Sequence, residues 1–516
     1  MKLESFLSGG WCTGARAGRS LVNPTTGEEI GTADATGLDV ASALEYARSK
    51  GRALSALGFS ERGAILKEVS GILQANRDSY LEIARINSGN TAADASFDVD
   101  GAIFTLKSYA RLGSGLGDAT HLVEPGQDQL ARDPVFFARH FWTTRPGVAV
   151  QINAFNFPAW GMWEKVAQAL LAGVPSFAKP ATSTAWLSER MVRDVIDAGI
   201  FPDGTLSLLC GGADGVIPSL GPMDSVAFTG SGETARLLRR EIAEMALPPR
   251  LTIEADSVNA TIVGPDAAPG TPMFDLAVRE ATKAISFKAG QLCTNIRRIL
   301  VPMEHAAPFA EALSGKVAGL AVGDPSDEAV RTGPLINLAQ RNEAQSKIEL
   351  LSGEARVIAQ SKLPEVPASS GFVAPTLLLC EDVANARALH DVEVFGPCAT
   401  ILPYTGVDQA VALGALGQGS LALSLFSNDE GVQSRVLSQL AHWHGRILMV
   451  DDEAGKSHSG HANVVPNCVH GGPGRAGGGE ELGGLRGLRF HMQRTALQAG
   501  PTVVDALGAG AAEACL

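Results

Sequence analysis

The stretch "GVAVQINAFNFPAWGMWEKVAQALLAGVPSFAKP", Gly147–Pro180, decides the fold. "GVAVQINAF" is a short apolar run. "MWEKVAQALLAGV" has the spacing of a helix, and "PSFAKP" is short and extended. A strand, a helix and a second strand in this order predict parallel pairing through a right-handed crossover. The rhythm continues downstream. "WLSERMVRDVIDAGI" reads as a helix, "TLSLLC" and "SVAFTG" as strands, and "SGETARLLRREIAEMA" as a helix. It resumes after Phe274 and runs to about Val450. Two α/β domains are expected, each with its own sheet. A chain of 516 residues exceeds the usual size of a single core, which agrees.

Outward from this region the patterns change. "SLVNPTTGEEIGTADA", Ser20–Ala35, has two β-like runs about an Asn-Pro-Thr-Thr-Gly turn and predicts a hairpin. Two long helical patterns follow it, "DVASALEYARSKGRAL" and "ERGAILKEVSGILQANRDSYLEIARINSG". Gly471–Gly487, "GGPGRAGGGEELGGLRG", reads by composition as a flexible loop. "LRFHMQRTALQAG" is the last strand-like segment, and the final residues, "VVDALGAGAAEACL", read as a loosely held tail. No internal repeat of solenoid period is present.

Composition bounds the function. The chain is 45% hydrophobic and 19% charged, with a formal net charge of -13. Nucleic acid is bound through Lys/Arg footprints, so no nucleic-acid partner is expected. The N-terminus, "MKLESFLSGGW", has no apolar core of signal-peptide length. No run of about 20 apolar residues predicts a membrane span. The seven cysteines are scattered and form no CxxC pair, so neither a disulfide framework nor a metal site is expected. A reducing cytoplasm is the expected compartment.

Six segments carry candidate chemistry. Cys293 in "GQLCTN" lies among small and polar residues, poor core composition. A turn there brings backbone N–H groups near a sulfur and favours the thiolate over the usual thiol, whose pKa is about 8.5. Seen alone, it reads as readily as a small buried residue. Asn156, between two phenylalanines in "NAFNFP", is placed to aim an amide N–H at a developing oxyanion. Lys179 ends a strand, where α/β sheets line ligand crevices. "FTGSGETA" joins strand to helix through Gly230 and Ser231, a phosphate geometry, though it lacks a full GxGxxG. Glu254 closes an apolar run and becomes a useful base if it faces a cleft. Glu393 and Phe395 in "EVFGP" offer a carboxylate to a sugar hydroxyl and an aromatic edge to a ring. Each of the last four is, by itself, an ordinary surface or turn feature.

Taken in this order, "FNFP", "KP", "FTGS", "GQLC" and "EVFGP" resemble the aldehyde dehydrogenase superfamily, and the resemblance spans nearly the whole chain. It implies an α/β aldehyde dehydrogenase fold: a Rossmann-like cofactor domain, an α/β catalytic domain and a small β oligomerisation arm. The expected boundaries are 1–130 and 150–255 for the cofactor domain, 256–484 for the catalytic domain, 131–149 and 485–500 for the arm, and 501–516 for the tail. By the same resemblance Cys293 is the nucleophile. Asn156 forms the oxyanion hole with the Cys293 N–H, and Glu254 activates water. Lys179 and Ser231 hold the adenosine ribose and pyrophosphate, and Glu393 and Phe395 hold the nicotinamide end. Glu481 in "EELGG" resembles, more loosely, a second glutamate that serves as a proton relay.

Departures from the family pattern narrow the expectation. Many members read Glu-Leu-Gly-Gly-Lys-Ser-Pro-Asn at the base, whereas this chain reads Glu-Ala-Asp-Ser-Val-Asn, two residues shorter. "EADSVNA", "GQLCTNIRR" and "HGGPGRAGGGEELGGLRG" resemble the dehydrogenase part of phenylacetate-pathway ring-opening enzymes and their stand-alone relatives in benzoate degradation. The substrate this implies is a CoA-linked semialdehyde, 3,4-dehydroadipyl-CoA semialdehyde. Ala235 replaces a second Gly of the phosphate turn. Thr182, followed by Ser183, stands where NAD-preferring members often have Glu. Hydroxyls there suit a 2′-phosphate, so NADP is expected over NAD. An acylating enzyme that releases its thioester to CoA, and a member that has lost catalysis, are the competing readings. A homodimer is expected through paired arms.

Overall fold

The computed structural model describes residues 1–514; Cys515 and the residue after it lie outside the described residues. Three sheets organise the chain. The first has seven strands in the order Arg250–Glu254, Ser225–Thr229, Ala149–Ile152, Ser176–Lys179, Leu206–Leu208, Ser5–Leu7 and Gly10–Cys12. Its first five strands are parallel, and the N-terminal hairpin closes the edge antiparallel. The strand order reverses direction at Ala149–Ile152, as in doubly wound folds. The second sheet runs Arg356–Gln360, Thr376–Leu379, Cys398–Tyr404, Arg298–Pro302, Ala260–Val263, Ser420–Phe426 and His444–Val450. Only its first strand is antiparallel. The central strands of both sheets are almost continuously buried, which accounts for their unbroken apolar sequences.

Helices cover the first sheet. Phe59–Ala75, Ala92–Leu116 and Trp160–Leu171 pack through Leu66, Val69, Tyr109 and Trp163. Asp98 lies on the second of these helices and accepts N–H groups from Ala159 (3.3 Å) and Trp160 (2.7 Å). It thereby caps the third helix and places a carboxylate at its positive end. The hairpin expected near the N-terminus is present as Arg19–Val22 paired with Glu29–Ala33.

The third sheet pairs Met492–Ala499 with Phe137–Thr144 in one continuous antiparallel register. Leu122–Val123 and Asp128–Gln129 also pair with Phe137–Thr144. This sheet therefore begins before residue 131, whereas Ala149 belongs to the first sheet. Residues Leu485–Phe490 are helical. The expected loose tail is instead ordered over 501–514. Pro501–Gly508 is a helix, Ala512–Glu513 pairs with Leu122–Val123, and Ala514 is fully buried. No described helix is long and apolar enough to cross a membrane.

The glycine-dense segment is not a flexible loop. It runs beside the strand Arg250–Glu254, where Gly479 N–H donates to the Ile253 carbonyl (3.1 Å) and Ala255 N–H to the Ala476 carbonyl (2.9 Å). Gly477 has φ +111°, and a Cβ on it would lie 2.2 Å from the Ile253 oxygen. Glycine is there because two backbones meet with no room for a side chain.

Candidate active site

The carboxyl ends of four strands of the first sheet meet in one crevice. Asn153–Asn156 follow Ala149–Ile152, Lys179 ends its strand, Gly230 and Ser231 follow Ser225–Thr229, and Glu254 ends Arg250–Glu254. Cys293 arrives from the other side, on the turn that precedes the strand Arg298–Pro302. Lys288, Ala289 and Gly290 have φ of 48°, 50° and 71°. Two successive non-glycine residues in the left-handed region are strained and need surrounding support. Asp94 accepts from the Lys288 N–H (2.8 Å), and a Cβ on Gly290 would lie 2.1 Å from the Gly396 oxygen. Asn259 donates to the carbonyls of Cys293 (2.8 Å) and Asn295 (2.9 Å). The Arg297 guanidinium donates to the carbonyls of Gly290 (3.0 Å) and Leu292 (3.1 Å). "EADSVNA" and "GQLCTNIRR" are thus one clamped unit.

Cys293, Asn156 and Glu254 line a single cavity of about 510 Å³, counted to its open mouth. Its apolar wall is Phe97, Phe157, Trp160, Ala462 and Val464. The Asn156 amide donates to the Gln291 carbonyl (3.0 Å), two residues before the sulfur. The buried Asn153 amide and the Thr229 hydroxyl line the same cavity without protein partners among the described residues. Buried polar groups of this kind are rare unless a ligand satisfies them.

The electrostatics centre on a residue that the sequence reading did not single out. His470 Nε2 lies 2.8 Å from Glu254 Oε2 and 3.8 Å from Cys293 Sγ, and Nδ1 lies 3.4 Å from Glu164 Oε1. The carboxylate contacts are ion pairs by distance, and their angles fall short of aligned hydrogen bonds. Burial opposes charge on His470, but Glu254 and Glu164 hold its pKa well above the ordinary imidazole value. Burial would also raise Glu254, yet His470 and Lys165 hold it down at about 2. Burial and the Glu254 charge push the Cys293 thiol up to about 11, with His470 opposing them.

Glu481 joins this cluster from the glycine-dense segment. Lys165 Nζ lies 3.2 Å from Glu481 and 3.3 Å from Glu164, all buried. Burial raises Glu481 to about 7 despite Lys165. Glu164 and Lys165 also went unnoticed in the sequence. The available signal was two adjacent charges, "EK", in a helix otherwise almost wholly apolar. For His470 it was a lone histidine opening a glycine run. Glu254, Cys293 and His470 offer ligand atoms within 4.8 Å of one another, the spacing of a metal site. A protonated His470 has no lone pair to give a metal.

The cofactor candidates sit along the crevice. Lys179 is largely buried, and its ammonium makes no hydrogen bond or ion pair among the described residues; burial lowers its pKa. A buried cation without a partner fits a ligand's hydroxyl or phosphate. Thr182 donates its hydroxyl to the Gly211 carbonyl (3.0 Å), so it has no proton left to offer. Ser183 uses its carbonyl, not its hydroxyl, to accept from Asn87. Ser231 caps the helix Gly232–Ala243, with Gly230 just before it. The Asp256 carboxylate already accepts from the Gly232 N–H (2.9 Å), which weakens this turn as an anion site. Glu393 accepts from the Ser257 N–H (3.2 Å) and pairs with Arg297 (3.4 Å). Burial raises it to about 7. Phe395 packs edge-on against Phe155, with ring centres 5.6 Å apart.

A thiol, an amide donor and a carboxylate around one cavity, beside a doubly wound sheet, are the groups that covalent catalysis next to a dinucleotide-type crevice requires. The profile of the aldehyde dehydrogenase family matches residues 11–496, and the chain belongs to that family. It is 50% identical over 479 residues to 3,4-dehydroadipyl-CoA semialdehyde dehydrogenase of Aromatoleum evansii, covering 92% of this chain and 93% of that one. It is 28% identical over 437 residues to geranial dehydrogenase of Castellaniella defragrans, covering 82% and 86%. Among solved structures, betaine aldehyde dehydrogenase of Staphylococcus aureus in complex with NAD+ superposes with a TM-score of 0.84 over 96% of both chains, at 24% identity. That likeness shows the aldehyde dehydrogenase fold.

Proposed function

We propose that this aldehyde dehydrogenase oxidises 3,4-dehydroadipyl-CoA semialdehyde to its carboxylic acid with NADP. The observation that carries the reading is the convergence of Cys293, Asn156 and Glu254 on one apolar-walled cavity. The extent of identity to the Aromatoleum evansii enzyme supports the CoA-linked substrate.

The chain's residues divide the work. The Cys293 thiolate attacks the aldehyde carbon to give a hemithioacetal, and Asn156 with the Cys293 N–H holds its oxyanion. NADP, when bound, supplies the hydride acceptor. Glu254 then activates the water that cleaves the Cys293 thioester, with Glu481 relaying the proton. A cavity largely walled by aromatic and aliphatic side chains keeps other water from the reacting carbon. Lys179, Gly230, Ser231, Glu393 and Phe395 are the groups to hold the cofactor. Lys179 and Ser183 are the donors for a 2′-phosphate, with Thr182 in place of an acid that would repel it. Glu254 favours hydrolysis over transfer to free CoA.

A panel of free and CoA-linked semialdehydes, each with NAD and NADP, tests this reading. The CoA-linked substrate with NADP should give the highest kcat/KM and release acid. A higher value for free aldehydes, or acyl-CoA as product, would remove the substrate or the hydrolytic route. We also place the enzyme in the cytoplasm as a homodimer. The exposed edge strand Met492–Ala499 supports pairing of two arms.

A further inference from the structure

We propose that the His470 imidazolium, steadied by Glu164 and Glu254, is the counter-ion of the Cys293 thiolate. This rests on the reading of Cys293 as nucleophile and goes beyond it by naming a further catalytic residue. In the step, the S–H bond breaks and the proton leaves to solvent. The electron pair stays on sulfur, and His470 keeps its own proton throughout. One cation thus lies within reach of both anions, 2.8 Å from the Glu254 carboxylate and 3.8 Å from the sulfur.

The surroundings leave this task to His470. In a buried cavity an uncompensated thiolate is costly. Lys165, from the helix Trp160–Leu171, is committed to Glu164 and Glu481. Arg446, on the strand His444–Val450, donates to the His461 carbonyl (2.7 Å). The imidazole is positioned at three points. The His470 backbone carbonyl accepts from the Glu481 N–H at 2.5 Å, Glu164 faces Nδ1, and Glu254 faces Nε2. A nucleophile, a ring nitrogen beside it and a carboxylate on the opposite ring nitrogen form the nucleophile–histidine–acid order of hydrolytic triads. The difference is that two carboxylates keep this histidine charged, so it acts as a fixed cation rather than as the base.

The test is the pH dependence of iodoacetamide alkylation of Cys293 in the full chain, without cofactor, for the native enzyme, His470→Gln and His470→Lys. Alkylation reads the thiolate directly. Gln removes the cation and should raise the alkylation midpoint by at least about one pH unit, with about a tenfold loss of rate at neutral pH. Lys keeps a cation and should bring the midpoint back towards the native value. A Gln variant with the native midpoint, or a Lys variant as slow as Gln, overturns the proposal. If His470→Gln does not fold, judged by circular dichroism, His470→Asn carries the same comparison. Should native Cys293 resist alkylation and Cys293→Ala still turn over aldehyde, the nucleophile reading fails instead.

Discussion

At the scale of single residues, the charges around Cys293 set what can be measured. Cys293→Ala should abolish aldehyde-dependent NADPH formation. Glu254→Gln should keep a single burst of NADPH and then stall, because water is no longer activated. A steady-state rate equal to that of the native enzyme would take Glu254 out of the base role. Glu393 gives a pH signature. Its pKa is raised to about 7 by burial, so it is a carboxylate above that value and neutral below it. A charged acceptor binds a ribose hydroxyl more strongly than a neutral one. NADPH should therefore bind several-fold more weakly about one unit below pH 7 than about one unit above it, by fluorescence titration. Glu393→Gln should flatten that dependence, and an unchanged slope would show that another group titrates. Thr182→Glu should shift kcat/KM towards NAD by about tenfold or more, since a carboxylate repels a 2′-phosphate. Cys293, Asn156 and Glu254 were legible because their segments fall in the order of a known family, although each signal is weak alone. His470, Glu164 and Lys165 were not. Their meaning depends on neighbours up to 316 residues away (Lys165 against Glu481), and a lone charged residue says nothing of its partner until both are buried together.

At the scale of elements, the catalytic turn and the helix beside it are held by caps and close backbone approaches. Asp98→Ala removes the acceptor for two N–H groups at the start of Trp160–Leu171, the helix that carries Glu164 and Lys165. It should lower stability by about 1–3 kcal/mol, read as a lower denaturant midpoint. The buried Lys288 lies near Asp98, so activity should fall as well. Gly477→Ala puts a Cβ into the Ile253 carbonyl at a positive φ. It should cost more than about 1 kcal/mol and loosen the segment that carries Glu481. A fully stable, fully active Gly477→Ala enzyme would contradict the close approach. The same segment shows where composition misled. Glycine density reads as flexibility when only the chain is seen. Here it records a backbone threaded against a strand, because contact from residues 220 or more positions away leaves no local trace.

At the scale of the whole molecule, Met492–Ala499 leaves one edge of the third sheet unpaired among the described residues. Proline at Thr495 or at Ala496 tests the proposed dimer, since successive residues point their N–H groups to opposite sides of the strand. The variant that removes the outward donor should sediment as a monomer. A native enzyme that already sediments as a monomer would remove the proposal. The amino-acid sequence by itself determined the strand–helix alternation, the two α/β units, and the identities of the thiol, amide and carboxylate. The first two follow from local periodicity, and the last from the resemblance carried by the order of the motifs. The tertiary structure alone decided how the C-terminal residues 501–514 join the third sheet. It also decided that the glycine-dense segment lies against the strand Arg250–Glu254, and that His470 lies beside both Cys293 and Glu254. Those outcomes depend on packing between distant segments, and on the desolvation that turns ordinary side chains into a coupled set of charges.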